Sequence, residues 1–413
     1  MLNPLEERVS ERLSTSEDEM VCLAKALISV PTADPPGENY EDCARIMVDY
    51  LKDMGAQVDV LEVPSRDLPL NPQTGQPLPR PNVVAKIESA PKGPVLHYNG
   101  HYDVVPASAG WTSDPYKPTV KEGRLYGRGS VDMKGPIAAM LVATKALISE
   151  GVSLGGTLSF SFVPDEENDG TAGTKFLLEQ KGLDADYCIV GEPSGKMTLF
   201  NGHRGCLWLE IETSGRAAHG SAPWTGINAF EKMVQVVNQI ERKIKPKLHA
   251  GKGSRDKPGT ITVGGKVITG EVPNTVPQTC TMTIDRRLAP GESIEAVKSG
   301  FSEILTALAK EDAEFKAEMR VLSGYDPCIT PLTSELVRTV SNALGSISGE
   351  SPQVSLMMAG CDMRYFHQKG IPTVVFGPGE LSMAHQSDEN VAIEELMMGA
   401  KVYALSAIRL LGC

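Results

Sequence analysis

Apolar positions at Met20, Leu23, Ala24, Leu27 and Ile28 recur at helical spacing and stop at Pro31, which predicts a first helix. The turn-rich PTADPPGENY follows, and a second helix is expected over 38–54, ended by Gly55. QVDVLEV alternates as a strand does. Five prolines between Pro69 and Pro81 make 67–82 an exposed loop. Strands are predicted at NVVAKIE and at VLHYNGHYDVV, whose start is apolar on both faces like a central strand. A helix rich in Ala, Leu and Ile is expected over 133–150. TLSFSFVPDE and DYCIVGEP then read as strands that end in acidic residues. Strands alternating with helices predict an α/β fold, a sandwich built on a mixed sheet.

The pattern changes near residue 203. LWLEIET alternates strictly, a helix carries Ile227, Phe230, Met233, Val234, Val237 and Ile240 on one face, and a basic Gly/Lys/Pro loop is expected over 243–259. TITVGGKVI, TCTMTIDRR, a second amphipathic helix from Ile294 to Leu308 and FKAEMRVL complete a β-α-β-β-α-β order. That order is a ferredoxin-like α+β unit. It predicts an inserted domain at 203–323, leaving 1–202 and 324–413 as one discontinuous domain. In the last segment, helices are expected over 333–344 and 362–369, a strand at TVVFG, and a final helix after Asn390.

Composition narrows the class. At ~100–200 residues per domain, two or three domains fit in 413 residues. The net charge of −12 argues against nucleic acid or an anionic membrane as partner, since both need a basic footprint. It leaves room for a small anionic substrate held by a local positive pocket. None of the eight Cys forms a CxxC pair, and scattered single Cys suit reduced thiols of a cytoplasmic protein. The start, MLNPLEERVSERL, is polar and charged, unlike a signal peptide.

Chemistry concentrates in five short stretches: His101-Tyr-Asp103, Asp132 in GRGSVDMKG, Glu166-Glu167 in VPDEENDG, Glu192 in GEP, and His385 in MAHQSDE. Several stand at expected strand ends, where ligands of open α/β sheets collect. A His/carboxylate set without Cys suits Zn²⁺, Mn²⁺ or Co²⁺ at a catalytic site. Taken singly, each stretch has a plainer reading. His101–Asp103 reads as a buried polar pair, Asp132 as a helix N-cap, and Glu166–Glu167 as an acidic surface turn. Glu192 alone is a strand-ending carboxylate, and His385 a loop histidine.

Together, in this order and spacing, HYDVVP, GRGSVDMKG, DEE, GEP and AHQSDE resemble the metallopeptidase family of aminoacylase, acetylornithine deacetylase, succinyl-diaminopimelate desuccinylase and bacterial glutamate carboxypeptidase. The resemblance spans nearly the whole chain. It implies two divalent ions, Zn²⁺ foremost with Mn²⁺ or Co²⁺ as alternatives. His101, Glu192 and a bridging Asp132 would hold one, and Glu167, His385 and Asp132 the other. A carboxylate has two oxygens and can bridge ions ~3.5–4 Å apart. Asp103, two residues from His101 on the same strand face, would fix the imidazole tautomer. Glu166 would act as general base.

The resemblance further implies a homodimer through the inserted lid, with His219 of GRAAHGSAP polarising the scissile carbonyl across the dimer. Arg286 and Asn274 match substrate-side positions of the lid, whereas Arg287 is read as a surface ion pair. Arg364 in AGCDMRYF matches a carboxylate-binding segment, and an Arg fork suits a carboxylate. Cys361 departs from the small residue, Thr or Ser common there and is read as a neutral pocket wall, which leaves substrate identity open. The implied activity is hydrolysis of a C–N bond in an N-acyl amino acid or C-terminal peptide-like substrate with a free carboxylate. Dipeptides, ureides and other amine-releasing substrates are the alternative. A metal-binding module without catalysis is a further one, disfavoured because Glu166 and all five ligands are present.

Overall fold

The computed structural model describes residues 2–90, 92–180, 183–249 and 259–413. The chain divides into two compact units, one of Met1–Gly202, Thr330–Met357 and Cys361–Cys413, the other of His203–Ile329 with Met358–Gly360.

The larger unit is built on a mixed sheet. Its strands lie in the order Gln57–Glu62, Pro81–Glu88, Thr157–Val163, Val95–His101, Tyr187–Val190, Thr373–Val375 and Thr198–His203. Thr157–Val163, Val95–His101, Tyr187–Val190 and Thr373–Val375 run parallel, and the strands flanking them are antiparallel. Register puts His101 opposite Val163 and Asn99 opposite Val190. The residues that follow these strands therefore emerge side by side at one sheet edge, as parallel strands place their loops.

The helix Lys134–Ser149 packs against Ile393–Leu411. All but three of its residues are buried, so it has no continuous polar stripe and lies in the core except at its last turn. Its first residue is charged, and the buried Lys134 ammonium donates to the carbonyls of Leu27 (3.0 Å) and Val30 (2.7 Å) near the end of the helix Glu17–Ile28. The polar N-terminal stretch is also helical, over Pro4–Ser14. Asn3 caps it, Glu6 reaches back to the Asn3 amide, and Val9 and Leu13 are buried. Leu5 packs beside them, so one stripe at i, i+4, i+8 seats the helix on the core.

In the second unit four antiparallel strands lie in the order Thr260–Thr269, Thr279–Leu288, Gly205–Ser214 and Lys316–Tyr325. The helices Ala229–Gln239 and Ile294–Glu311 cover one face, where Leu207, Leu209, Met282 and Ile284 meet Met233, Val236, Phe301 and Ile304. This is the ferredoxin-like arrangement expected of the β-α-β-β-α-β order. Part of the expected basic loop is ordered differently: Ile240–Ile244 is a π-helical turn and Lys245–His249 a short helix. Residues 250–258 of that loop lie outside the described residues.

Candidate metal centre

Three strand ends and one helix start converge. His101 closes its strand, Glu166–Asn168 forms a 3₁₀ turn just beyond Thr157–Val163, and Glu192 follows Tyr187–Val190. Asp165 enters the turn with φ 73° and fixes it by accepting from the Ala172 amide (3.0 Å). Asp132 precedes the buried helix without capping it, since the cap position is Met133 and no side chain bonds there. The Asp132–Met133 peptide is cis. His385 arrives on the loop after Leu381–Met383 with φ 64°.

Their donor atoms form two sets that share Asp132. His101 Nε2 lies 3.0 Å from Asp132 Oδ1 and 3.4 Å from Glu192 Oε1. His385 Nε2 lies 3.3 Å from Asp132 Oδ2 and 3.1 Å from Glu167 Oε1. The two oxygens of Asp132 thus face opposite sets. Two ligands at ~2.1 Å from a tetrahedral ion are ~3.4 Å apart, so these spacings suit N/O ligation. Within this cluster, His101 also groups with Glu166 and Glu192, and with Asp132 and Glu167, each group's donor atoms lying within 4.8 Å. His101 Nδ1 faces the Asp103 carbonyl at 3.0 Å and the Asp103 carboxylate at 3.4 Å, while Asp103 Oδ2 accepts from the Glu167 amide at 3.0 Å. Asp103 therefore orients a histidine of one set and a carboxylate of the other.

The charges act on one another strongly. Burial pushes the Glu192 carboxyl up to about 7, helped by the charge of Asp132. Burial and the Glu192 charge raise Glu166 well above the usual carboxylate range, and burial with the Asp132 charge raises Glu167. Burial opposes charging of His101, yet Glu192, Asp103 and Asp132 together hold its pKa well above that of a free imidazole. Bonds to Asp132 and Glu167 push His385 up to about 10. Burial works against an ionised Asp132, but His101 and His385 keep it well below the ordinary range.

A divalent ion entering this cluster must displace protons, because ligands bind deprotonated. His385, titrating near 10, and His101, held well above a free imidazole, each give up a proton in the neutral range, and below about 7 Glu192 gives up another. Metal affinity should therefore rise with pH, more steeply below 7 than above it. Calorimetric titration with Zn²⁺ at pH 6 and pH 8, in buffers of different ionisation enthalpy, checks this. An affinity that stays level across that range contradicts it.

Arg364 and Cys361 are buried in the same unit. Arg364 Nη2 bonds the Asp169 carbonyl (2.8 Å), the Asp169 carboxylate (2.8 Å) and the Tyr365 hydroxyl (3.1 Å). His219 and Asn274 belong to the second unit, where both are exposed. His219 pairs with Thr275 across a short ladder and bonds Ser221 Oγ at 2.8 Å, and the Gly220 amide donates to the Asn274 carbonyl at 2.7 Å.

Arg286, expected on the substrate side, lies on the strand face under the helices. Along Thr279–Leu288 the buried residues are Cys280, Met282, Ile284, Arg286 and Leu288, the face under the helices. Arg286 sits opposite the buried Leu207, and its guanidinium is taken by Glu292 and the Arg287 carbonyl. Arg287 points to the other face, half-buried, paired with Asp285 (2.9 and 3.0 Å) and lying over Trp208. The period-2 alternation of TCTMTIDRRL was enough to show this.

The chain is similar to known proteins over most of its length. The model of Peptidase family M20/M25/M40 matches residues 97–409. A succinyl-diaminopimelate desuccinylase of Hydrogenovibrio crunogenus is 29% identical, over 95% of this chain and 99% of that protein. An N-formyl-4-amino-5-aminomethyl-2-methylpyrimidine deformylase of Bacillus subtilis is 28% identical, over 95% of each chain. Among solved structures, an M20 family metallo-carboxypeptidase from Sulfolobus solfataricus superposes with a TM-score of 0.74 at 20% identity, covering 95% of this chain and 99% of that one. A dinuclear metal-binding peptidase of the M20 family from Bacillus subtilis gives 0.70 at 16% identity, covering 96% and 99%. The chain belongs to peptidase family M20/M25/M40 and is a metal-binding hydrolase of amide bonds.

Proposed function

We propose that this enzyme cleaves the amide of an N-acyl amino acid, or a C-terminal peptide-like bond, in a substrate that carries a free carboxylate. The observation that supports this most is the pair of His/carboxylate sets sharing Asp132, with Glu166 beside His101 and Glu192. His101, Glu192 and one Asp132 oxygen would hold the first ion, and His385, Glu167 and the other oxygen the second, Zn²⁺ being the favoured metal. When bound, the ions supply Lewis-acid polarisation and acidify water. Glu166 takes the proton of the attacking water and returns it to the leaving nitrogen, for which its raised proton affinity suits it. Asp103 keeps His101 and the Glu167 turn in register. The carboxyl end of the substrate is assigned to Arg364, with Cys361 as a wall and Asn274 on the lid.

On the lid, Arg287 replaces Arg286 as the candidate carboxylate contact, since it stands on the face the helices leave open. Losing one charge-assisted bond costs ~1.5–3 kcal/mol, so Arg287→Ala should raise KM ~10–100-fold with little change in kcat. Arg286→Ala should instead lower the melting temperature, because it breaks the buried pair with Glu292. Equal KM values for wild type and Arg287→Ala would remove Arg287 from the substrate site.

His219 is assigned to the active site of a partner subunit, where it would stabilise the developing oxyanion, and the second unit to dimerisation. Mixing inactive Glu166→Gln with inactive His219→Ala should then restore turnover, because one site of each mixed dimer is intact. Mixtures that stay inactive would place His219 in its own subunit's site or outside catalysis. Scattered single cysteines without a CxxC pair suit a cytoplasmic location, and no helix among the described residues is long and apolar enough to cross a membrane. The substrate class is tested by assaying N-acetyl and N-succinyl amino acids against the same amides with the carboxylate esterified. Turnover of the acids and loss on esterification are expected. Equal rates on both would show that the carboxylate is not read.

A further inference from the structure

Glu389 is fully buried and has no part in the reading above. Its carboxylate lies inside the loop that leads to Asp132. Oε1 accepts from the amides of Gly129 (3.1 Å), Val131 (2.8 Å) and Asp132 (3.1 Å). Oε2 accepts from the Gly129 amide (3.1 Å) and from Arg128 Nη1 (2.7 Å). Successive backbone amides curled around an anion form a nest, and here the anion is the chain's own side chain.

The two segments are joined along their length. Asn390–Ala392 pairs antiparallel with Arg124–Tyr126, the Gly127 amide donates to the Glu389 carbonyl (3.0 Å), and Arg128 Nη1 reaches the Gln386 carbonyl (3.4 Å). The next contact along the seam is His385 against Asp132. A shift of the loop by one amide would move Asp132 away from both His101 and His385.

The geometry points to Glu389 as a positioning residue of the metal centre: it fixes the direction of Asp132 and its distance from His385. This rests on the reading that Asp132 and His385 hold metal. Only a carboxylate can accept from the three amides and the guanidinium together. A glutamine has one acceptor oxygen, and its amide group would face Arg128 or another donor.

The test is titration with Co²⁺, followed through the visible absorption of the bound ion, in wild type, Glu389→Gln, and Glu389→Gln combined with Arg128→Met. The double variant removes the cation that glutamine leaves unpaired and so protects folding. Variants with wild-type circular dichroism are expected to bind Co²⁺ ~10–100-fold more weakly, the scale seen when an outer partner of a ligand is lost, with an altered absorption band. Folded variants with wild-type affinity and spectrum overturn the inference. So does failure of both variants to fold, since Glu389 would then serve folding rather than ligand placement. Wild-type protein that binds no Co²⁺ sinks the metal-centre reading itself, and the Glu389 inference with it.

Discussion

Replacing Glu166 with Gln is expected to leave metal binding intact and to lower kcat by ~10²–10⁴-fold, the range for loss of a general acid–base group. The substitution keeps shape and removes only the ability to take a proton. Burial and the charge of Glu192 raise the proton affinity of Glu166 well above that of a free carboxylate, which suits a group that must both accept and return a proton. The alternative is specific, because Glu166 stands within 4.8 Å of donor atoms of both His101 and Glu192 and could itself be a ligand. Metal analysis separates the two roles. A base leaves the metal content unchanged while turnover falls, whereas a ligand loses metal and turnover together. Near-normal kcat would exclude both.

The second large effect is expected from Asp132→Ala. Each oxygen of Asp132 faces one histidine, so one substitution strips both sets at once. The loss of metal affinity should exceed the ~10–100-fold typical of an outer partner, and it should affect both ions. Glu167→Ala, by contrast, should weaken chiefly the ion shared with His385. The metal-free protein offers an independent readout. Asp132 and Glu167 both hold His385 near 10, so removing Asp132 should bring the His385 titration down toward its ordinary value. Nuclear magnetic resonance of the imidazole would follow that shift. A wild-type His385 titration, or retention of both ions, would show that Asp132 does not bridge.

Much of the centre was legible because the chemistry lies in short local patterns. His101 and Asp103 share a strand face by alternation alone, and Glu166, Glu167 and Glu192 follow stretches, TLSFSFV and DYCIV, that read as strands. What pattern reading missed has physical reasons. The burial of Arg286 follows from an alternation, with Cys280, Met282 and Ile284 on its side of the strand, that the family match did not use. The helix Pro4–Ser14 is capped by Asn3 and Glu6, and its Leu5, Val9 and Leu13 at i, i+4, i+8 are a legible but narrow stripe among charged residues. The bond from Arg364 to Asp169, 195 residues away in sequence, could not be read from spacing. Glu389 bonds backbone amides up to 260 residues away, and such partners leave no trace in side-chain spacing.

The central claim is that amide hydrolysis depends on ions held by His101, Asp132, Glu167, Glu192 and His385. Its most direct test strips the purified protein with chelator and adds back Zn²⁺, Mn²⁺ or Co²⁺ while hydrolysis of N-acyl amino acids is followed. Turnover should vanish on stripping and return as the ions bind, with no further gain once both sets are filled. Hydrolysis that survives complete removal of metal, or full loading with no hydrolysis across a broad amide panel, would contradict the account.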